Sequence, residues 1–565
     1  MTTRLADLYS RNTPQRTRAR ADQVQNSASG YVFKVDDWDL LDRFLILGSE
    51  GGTFYIAPRE LTREHAQNVV KLIHEDGPRV VSRIVEISKA GRAARNDPAL
   101  FALALCVAEG DEMTRMYAYS AIPEVCRIGT HLFHFADYLK AVGKGWSRGV
   151  RNAVARWYVD MSTDKLGYQA LKYKQRDGWN HANLLALSHA KADDVVRNAI
   201  FKWIVMPTVK DDAPTRKLGD GTVIEVENPL TREQKLANIE EYVQKHAPAQ
   251  VLAAHSLSDE SKSAEVVKAI LDHDLPREAI PTKFLRNVEV WDALLQKMPI
   301  TALVRNLGKM TNVGLLTPMS DASKLVNQKL GNVEAVRKSR LHPMQVLYAL
   351  KTYGQGGGFR GKLTWEPVQS VMSSLDDLFY TTFGNVEPTG KRTLIGIDVS
   401  GSMSCPIMHE APVTCAEGAA AMAMVTARVE DPDSYAIMGF NQGLQKLPIS
   451  PKMSFGEVLR KTSNVNFGGT DCSLPMLYAM KNGMKVDTFC VYTDSETWAG
   501  TVQPFEALNE YRRRTGIPAK LVVVGMASNG FTIADPRDPG MMDVVGFDAG
   551  APAIISDFAR AEMTA

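Results

Sequence analysis

Asp398-Val-Ser400-Gly-Ser402 places one carboxylate and two hydroxyls at alternate positions. All three are hard oxygen donors, which suit a divalent cation such as Mg2+ rather than Zn2+. Thr470 stands in a glycine-softened loop, Phe-Gly-Gly-Thr-Asp, where backbone can approach an ion, and Asp494 can add a second carboxylate through water. With two neutral hydroxyls among the direct ligands, the ion keeps net positive charge, which favours capture of an external carboxylate over hydrolysis. Ser400 stands where a D-x-D phosphatase has its second acid, and neither serine lies in a G-x-S-x-G elbow. The chain is therefore expected not to be an enzyme.

A second group of residues suits a polyanion. Lys172 and Arg176 are four apart, a spacing that puts both on one face of a helix, Arg able to grip phosphate bidentately and Lys as a point charge. His189 can hydrogen-bond a phosphate or base, or stack on one. Arg127 and His131 repeat the four-residue spacing. Isolated pairs of this kind are more often solvated or salt-bridged helix faces, so charge distribution has to decide. Lys144 to Lys202 carries 11 basic and 5 acidic residues, whereas Val386 to Ala565 carries 15 basic and 20 acidic. A local basic surplus is the usual footprint of a nucleic-acid site.

These residues need elements to hold them. At 565 residues the chain exceeds one hydrophobic core. Residues 1–27 are polar and basic and read as a flexible arm. From Trp38 to Trp365 the pattern is helical: LTREHAQNVVKLIHEDG, ending at Gly77-Pro78, then DPALFALALCVAEGD, GVRNAVARWYVDMS, SAEVVKAILDHD and EVWDALLQKM. Many amphipathic helices with short turns suggest stacked repeats over 28–385. RKLGDGTVIEVENP reads as a small hairpin or excursion loop, and GQGGGFRGKL as a flexible basic connector. Trp146, Trp157, Trp179 and Trp203 read as packing residues. Over 386–565, TLIGIDVS, SYAIMGF, DTFCVYTDS and AKLVVVGM are buried parallel strands alternating with helices, a doubly wound α/β domain with its ligand site at the strand ends. Asp398 closes the first of these strands and Asp494 a later one.

No apolar run approaches the roughly 20 residues that span a bilayer. The six cysteines form no CxxC pair, and no signal peptide is evident, so a reduced cytoplasmic setting is expected.

D-x-S-x-S followed by Thr and then Asp resembles the metal-ion-dependent adhesion site of von Willebrand A domains. RFLILGSEGGTFY, VCRIGTHLFHF, LKYKQRDGWNHANLLALSHA, ALVRNLGKMTN and GFRGKLTW resemble the Ro ribonucleoprotein family (SS-A/Ro autoantigen, TROVE domain) of bacterial type. VEPTGKR, DVSGSM, GGTDCSLPM, YTDSETWAG and SNGFTIADP extend the likeness in chain order to about Phe558. The resemblance implies a HEAT-like helical ring joined to a von Willebrand A-like domain. It also implies Y RNA bound on the ring surface, at Lys172, Arg176 and His189, and single-stranded ends of misfolded RNA in the central hole. A further implied partner is an exoribonuclease, polynucleotide phosphorylase, tethered through the RNA. A metal-dependent protein-adhesion scaffold that meets RNA incidentally is the alternative reading. The charged segment from about Val209 to Leu236 matches no part of the family pattern.

Overall fold

The computed structural model describes residues 13–48, 61–213, 215–217, 223–225, 228–358, 362–383, 387–404, 413–462, 468–526, 530–545 and 550–561. Strands β1 (Gln23–Gln25) and β2 (Tyr31–Lys34) precede a helical array. Its first half comprises α1 (Asp37–Leu47), α2 (Gln67–Ala90), α3 (Asp97–Glu109), α4 (Glu112–Val125), α5 (Gly129–Ala141), α6 (Arg148–Val159), α7 (Thr163–Lys172), a hairpin of β3 (Gln175–Arg176) and β4 (Trp179–Asn180), α8 (His181–Ser188) and α9 (Val195–Val205). A second hairpin, β5 (Thr215–Lys217) and β6 (Val223–Glu225), leads to α10 (Arg232–His246), α11 (Ala249–Ser256), α12 (Ser263–His273), α13 (Val288–Lys297), α14 (Ile300–Asn312), α15 (Asp321–Leu330), α16 (Val333–Ser339), α17 (Pro343–Gly354) and α18 (Gln369–Thr381).

Local sequence explains many of these boundaries. Ser147, Ser162 and Asp194 cap α6, α7 and α9 through their side chains, and Thr231 with Gln234 forms a capping box at α10. Helix α3 is apolar all round and is buried from Asp97 to Val107, so it sits between its neighbours rather than at the surface. Gly77-Pro78, expected to end a helix, instead marks a kink within α2, where Asp76 leaves helical geometry (φ −152°). Gly77 fits there because a Cβ would lie 2.0 Å from the Thr114 hydroxyl.

Neighbouring helices pack in sequence: α2 on α3 and α4, α4 on α6, α6 on α8, α9 on α10, α11 on α12, α12 on α13 and α17 on α18. The two ends of the array then meet. Arg340 donates to the Lys89 carbonyl (3.4 Å), His342 Nε2 to that of Arg92 (3.2 Å) and Gln345 Nε2 to that of Ala94 (3.1 Å). Residues 250 positions apart thus close the array. Trp157 is buried, its indole N–H donating to the Cys126 carbonyl, and Trp146 packs on Trp179, as the packing reading expected. The glycine-rich connector is anchored on both sides rather than loose: Trp365 N–H donates to the Gly356 carbonyl and its ring fills the space beside Gly308. Residues 359–361 of it lie outside the described residues.

The second domain has β7 (Thr393–Asp398), α19 (Cys415–Val429), β8 (Tyr435–Phe440), β9 (Leu444–Lys446), α20 (Phe455–Thr462), α21 (Leu474–Lys481), β10 (Thr488–Thr493), α22 (Pro504–Thr515), β11 (Lys520–Gly525), β12 (Phe531–Thr532), β13 (Met541–Val545) and α23 (Ala551–Arg560). Its six-stranded sheet runs β13-β11-β10-β7-β8-β9, parallel except for the antiparallel edge strand β9. This is the doubly wound order: the strands after β7 are added on one side and those from β10 onward on the other, so the winding reverses between the parallel neighbours β7 and β10. The Met-rich run of α19 is buried core. Lys351 of α17 pairs with Glu417 of α19 (2.6 Å), and Arg43 of α1 pairs with Asp543 of β13 (2.5 Å), tying the two domains together. A cavity of about 120 Å³ lined by Asp42, Arg43, Arg83, Arg92 and Asp543 adjoins the second contact.

The N-terminal segment departs from expectation. Residues 13–27 were expected as part of a loose arm, with the helical domain beginning at 28. Instead, residues 13–34 lie on the second domain. Strands β1 and β2 form a three-stranded sheet with β12, and Phe33 packs edge-on to Phe505 of α22 at 5.4 Å. Polar composition suggested solvation, but this segment docks through side-chain amides, the Arg20–Asp535 ion pair and the Phe33 ring. Residues 1–12 lie outside the described residues.

Candidate nucleic-acid interface and candidate metal centre

Lys172 and Arg176 do not share a helix face. Helix α7 stops at Lys172 because the chain turns back on itself immediately afterwards. Asp177 (φ 48°) and Gly178 (φ 81°) both take left-handed conformations, the requirement of a two-residue type I′ hairpin, and Arg176 pairs across it with Trp179. The Asp-Gly dipeptide carried that signal in the sequence. Arg176 is displayed on the hairpin with its side chain 61% exposed, its Nε 3.6 Å from Asp177. Lys172 is half-buried beside it. Its ammonium donates to the Tyr168 hydroxyl (3.1 Å) and lies over the Tyr168 and Tyr173 rings. Burial works against that charge, but Tyr173, Tyr168 and Glu278 outweigh it, and the Lys172 pKa sits above the ordinary lysine value. The site charge is secure at neutral pH.

His189 caps the far end of α8 in a left-handed conformation (φ 53°) and is exposed. Asn180, at the hairpin end, caps the start of the same helix in a reciprocal capping box with Asn183. Eight helical residues separate the two ends by about 12 Å. Arg176 and His189 thus lie near opposite ends of α8 rather than at a single point.

Arg127 and His131 are not helix-face partners either, since α5 begins only at Gly129. Arg127 turns inward, donating to the carbonyl (2.8 Å) and hydroxyl (2.7 Å) of Ser88 on α2. Burial, and then Arg340, push its pKa below the usual arginine value. Burial, reinforced by Arg127, holds His131 down at about 4, so its ring is neutral. Both serve the joint between α2, α4 and α5.

One residue absent from the sequence reading organises this region. His134 of α5 has Nδ1 2.6 Å from Asp97 and Nε2 3.2 Å from Asp177, bridging α3 to the hairpin turn. Tyr138 also donates to Asp97 (3.2 Å), and the Trp179 indole donates to Asp137 (3.3 Å). His134 and Asp177 lie 43 positions apart, and no periodicity in the sequence links them.

In the second domain the structure brings Asp398, Ser400, Ser402 and Asp494 to one point, where β7 and β10 end side by side. Asp398 is fully buried. Its carboxylate accepts from the Thr493 hydroxyl (2.7 Å) and the Ser400 N–H (2.9 Å), and the Ser400 and Ser402 hydroxyls stand 3.1 Å apart. Asp494, also buried, accepts from the Glu496 N–H (3.0 Å) and takes the Ser402 hydroxyl. Burial, and then the neighbouring Asp494, push Asp398 up to about 7; burial raises Asp494 as well. Two buried carboxylates with neutral hydroxyl and N–H partners leave negative charge that a hard divalent cation would balance. The donor set therefore fits the expected ion. Thr470 is buried in the adjoining loop, its carbonyl accepting from the N–H groups of Trp498 and Ala499 (3.0 Å each). Gly469 before it also meets a packing need. A Cβ on Gly469 would lie 2.7 Å from Trp498 and 2.9 Å from Ala499, so close loop packing requires the glycine. Among the described residues no group of three or more His, Cys, Asp or Glu is placed to hold a metal ion.

The five described cysteines are buried; Cys405 lies outside the described residues. Among the described residues no helix is long and apolar enough to cross a membrane.

Comparison with known proteins covers nearly the whole chain. Residues 24–355 match the family model of the TROVE domain, and residues 392–559 match that of the Ro60 vWA domain. The chain is 39% identical over 556 residues to a Deinococcus radiodurans protein named RNA-binding protein RO60, covering 98% of each. It is 36% identical to the Caenorhabditis elegans protein of the same name, covering 96% of this chain and 91% of that one. The crystal structure of the Deinococcus radiodurans RO (RSR) protein aligns with a TM-score of 0.67 at 38% identity, covering 94% of this chain and all of that one.

Proposed function

The chain belongs to the Ro protein family, and on that premise we propose that it is a non-catalytic RNA-binding component of a small ribonucleoprotein. It holds a Y RNA-like structured RNA along the surface running from the β3–β4 hairpin down α8, with Lys172, Arg176 and His189 as contacts. Misfolded or single-stranded RNA ends occupy the centre of the closed helical array, and the complex serves RNA quality control in the cytoplasm, meeting an exoribonuclease through the RNA. The observation that carries this reading is Arg176, exposed on the β3–β4 hairpin within a basic stretch and with Lys172 close by in the chain. Such a pair meets phosphates without a large rearrangement. Sequencing RNA cross-linked to the protein in its native cells tests it. Small structured RNAs should be enriched, and recovery no different from an unrelated protein would overturn it.

We also propose that Asp398, Ser400, Ser402, Thr470 and Asp494 hold a divalent cation, most naturally Mg2+. The buried carboxylate pair supports this. Such an ion would supply a positive centre able to take an acidic side chain of a partner protein. If protein adhesion rather than RNA were the main role, partners would stay bound after nuclease treatment.

A further inference from the structure

The N-terminal segment, residues 13–34, runs directly behind the candidate metal centre. Gln15 is fully buried, and both ends of its amide are used. Its Nε2 donates to Asp471 (2.8 Å) and to the Val502 carbonyl (2.9 Å). Its Oε1 accepts from the Thr497 hydroxyl (2.6 Å) and the Gly500 N–H (3.2 Å). A single side chain from the start of the chain thus joins the loop carrying Thr470 to the loop that follows Asp494.

The connection continues to the carboxylate at the centre. Thr497 Oγ1 also accepts from the Cys472 N–H (3.1 Å), Cys472 Sγ contacts Thr493 Oγ1 (3.6 Å), and Thr493 donates to Asp398 (2.7 Å). A second amide reinforces the first. Asn26 donates to the carbonyls of Ser495 (3.2 Å) and Thr497 (2.9 Å), next to Asp494, and the Ala28 N–H donates to Glu496 (3.0 Å). The fit leaves no slack: a Cβ on Gly500 would lie 2.2 Å from Gln15 Nε2, and one on Gly30 would lie 1.8 Å from the Thr497 carbonyl oxygen.

We infer that the N-terminal segment is a structural part of the metal centre, with Gln15 as its positioning residue, so that docking of the segment and occupancy of the centre strengthen each other. The inference rests on the metal reading above. Its physical basis is that Thr470 and Asp494 sit on irregular backbone, which takes its geometry from whatever satisfies its polar groups. Here Gln15 and Asn26 do so. Linkage then requires that if the segment raises ion affinity by some factor, the ion raises segment docking by the same factor.

The test uses the full chain, stripped with chelator and titrated with Mn2+ as the probe. Gln15→Ala should weaken Mn2+ binding about tenfold, well within the usual range of coupling between sites, and Asn26→Ala should weaken it less. Arg512→Ala breaks the Arg512–Asp538 pair elsewhere in the domain and serves as a control for general destabilisation; it should leave Mn2+ affinity unchanged. In wild type, Mn2+ should slow tryptic cleavage after the exposed Arg16 and Arg18, and in Asp398→Ala it should not. Mn2+ binding indifferent to both amide variants, or cleavage indifferent to Mn2+, would overturn the inference while leaving the metal reading in place. A wild-type chain that binds no Mn2+ would remove both.

Discussion

His134 Nε2 lies 3.2 Å from the carboxylate of Asp177, so the turn that displays Arg176 is held to helix α5 by an imidazole that also reaches Asp97. The hairpin has only two residues on each strand and little apolar burial of its own. A hairpin of that size is marginal without tertiary support. His134→Ala should therefore raise amide exchange across residues 174–180 and weaken RNA binding several-fold, because Asp97 and Asp177 lose the imidazole that lies between them. Unaltered exchange in the hairpin would show that the turn stands without the bridge.

Acid should weaken the helical domain through two buried histidines. Burial holds both His131 and His181 down at about 4, so both stay neutral in the fold. The unfolded chain takes up protons at these positions below about pH 6.5. Folding is then opposed by proton uptake, and stability falls as pH drops from about 6.5 toward 4, by up to about 3 kcal/mol for each ring. Urea unfolding at pH 7 and pH 5 reads this directly. His181→Gln, which can still accept from the Tyr158 hydroxyl 2.8 Å away in the native ring, should flatten the dependence. A variant as acid-sensitive as wild type would contradict the assignment.

Arg43 and Asp543 form a buried pair between the helical array and the last strand of the sheet. Arg43→Met leaves a buried carboxylate without its guanidinium, at a cost of about 3–5 kcal/mol to domain docking. The radius of gyration from small-angle scattering should increase. Combining it with Asp543→Leu removes the stranded charge, and the double variant should return most of the way to the compact value. Equal expansion in single and double variants would place the docking energy elsewhere.

Asp398→Asn separates the metal reading from a purely structural one. Without a divalent ion, relief of repulsion with Asp494 should let the variant melt at or above the wild-type temperature. Added Mn2+ should raise the melting temperature of wild type only. Equal stabilisation of both proteins would place the ion at another site.

The sequence was most informative where one local rule governs. The strand runs ending at Asp398 and Asp494 are continuous apolar stretches, and both became buried central strands with their acids at the switch point. Asp-Gly in RKLGDGT signals a hairpin, and the flanking strands β5 and β6 pair antiparallel. After Arg176 the four-residue spacing from Lys172 suggests a helix, yet the same dipeptide there takes two positive φ angles, which outweigh any helical preference. What could not be read was long-range and polar. Gln15 and Asn26 look like solvated arm residues because side-chain amides leave no hydrophobic trace, and their partners lie more than 450 positions away. His134 is similar: it reads as one polar residue among the apolar positions of α5 until Asp97 and Asp177 are placed beside it.

The most direct test of RNA recognition is a salt titration of binding to a small structured RNA, comparing wild type with the double variant Lys172→Ala, Arg176→Ala. Loss of two phosphate contacts should weaken binding about 10- to 100-fold and reduce the slope of log affinity against log salt by roughly 1.5. Wild-type affinity and slope in the double variant would contradict an RNA-binding role for this surface.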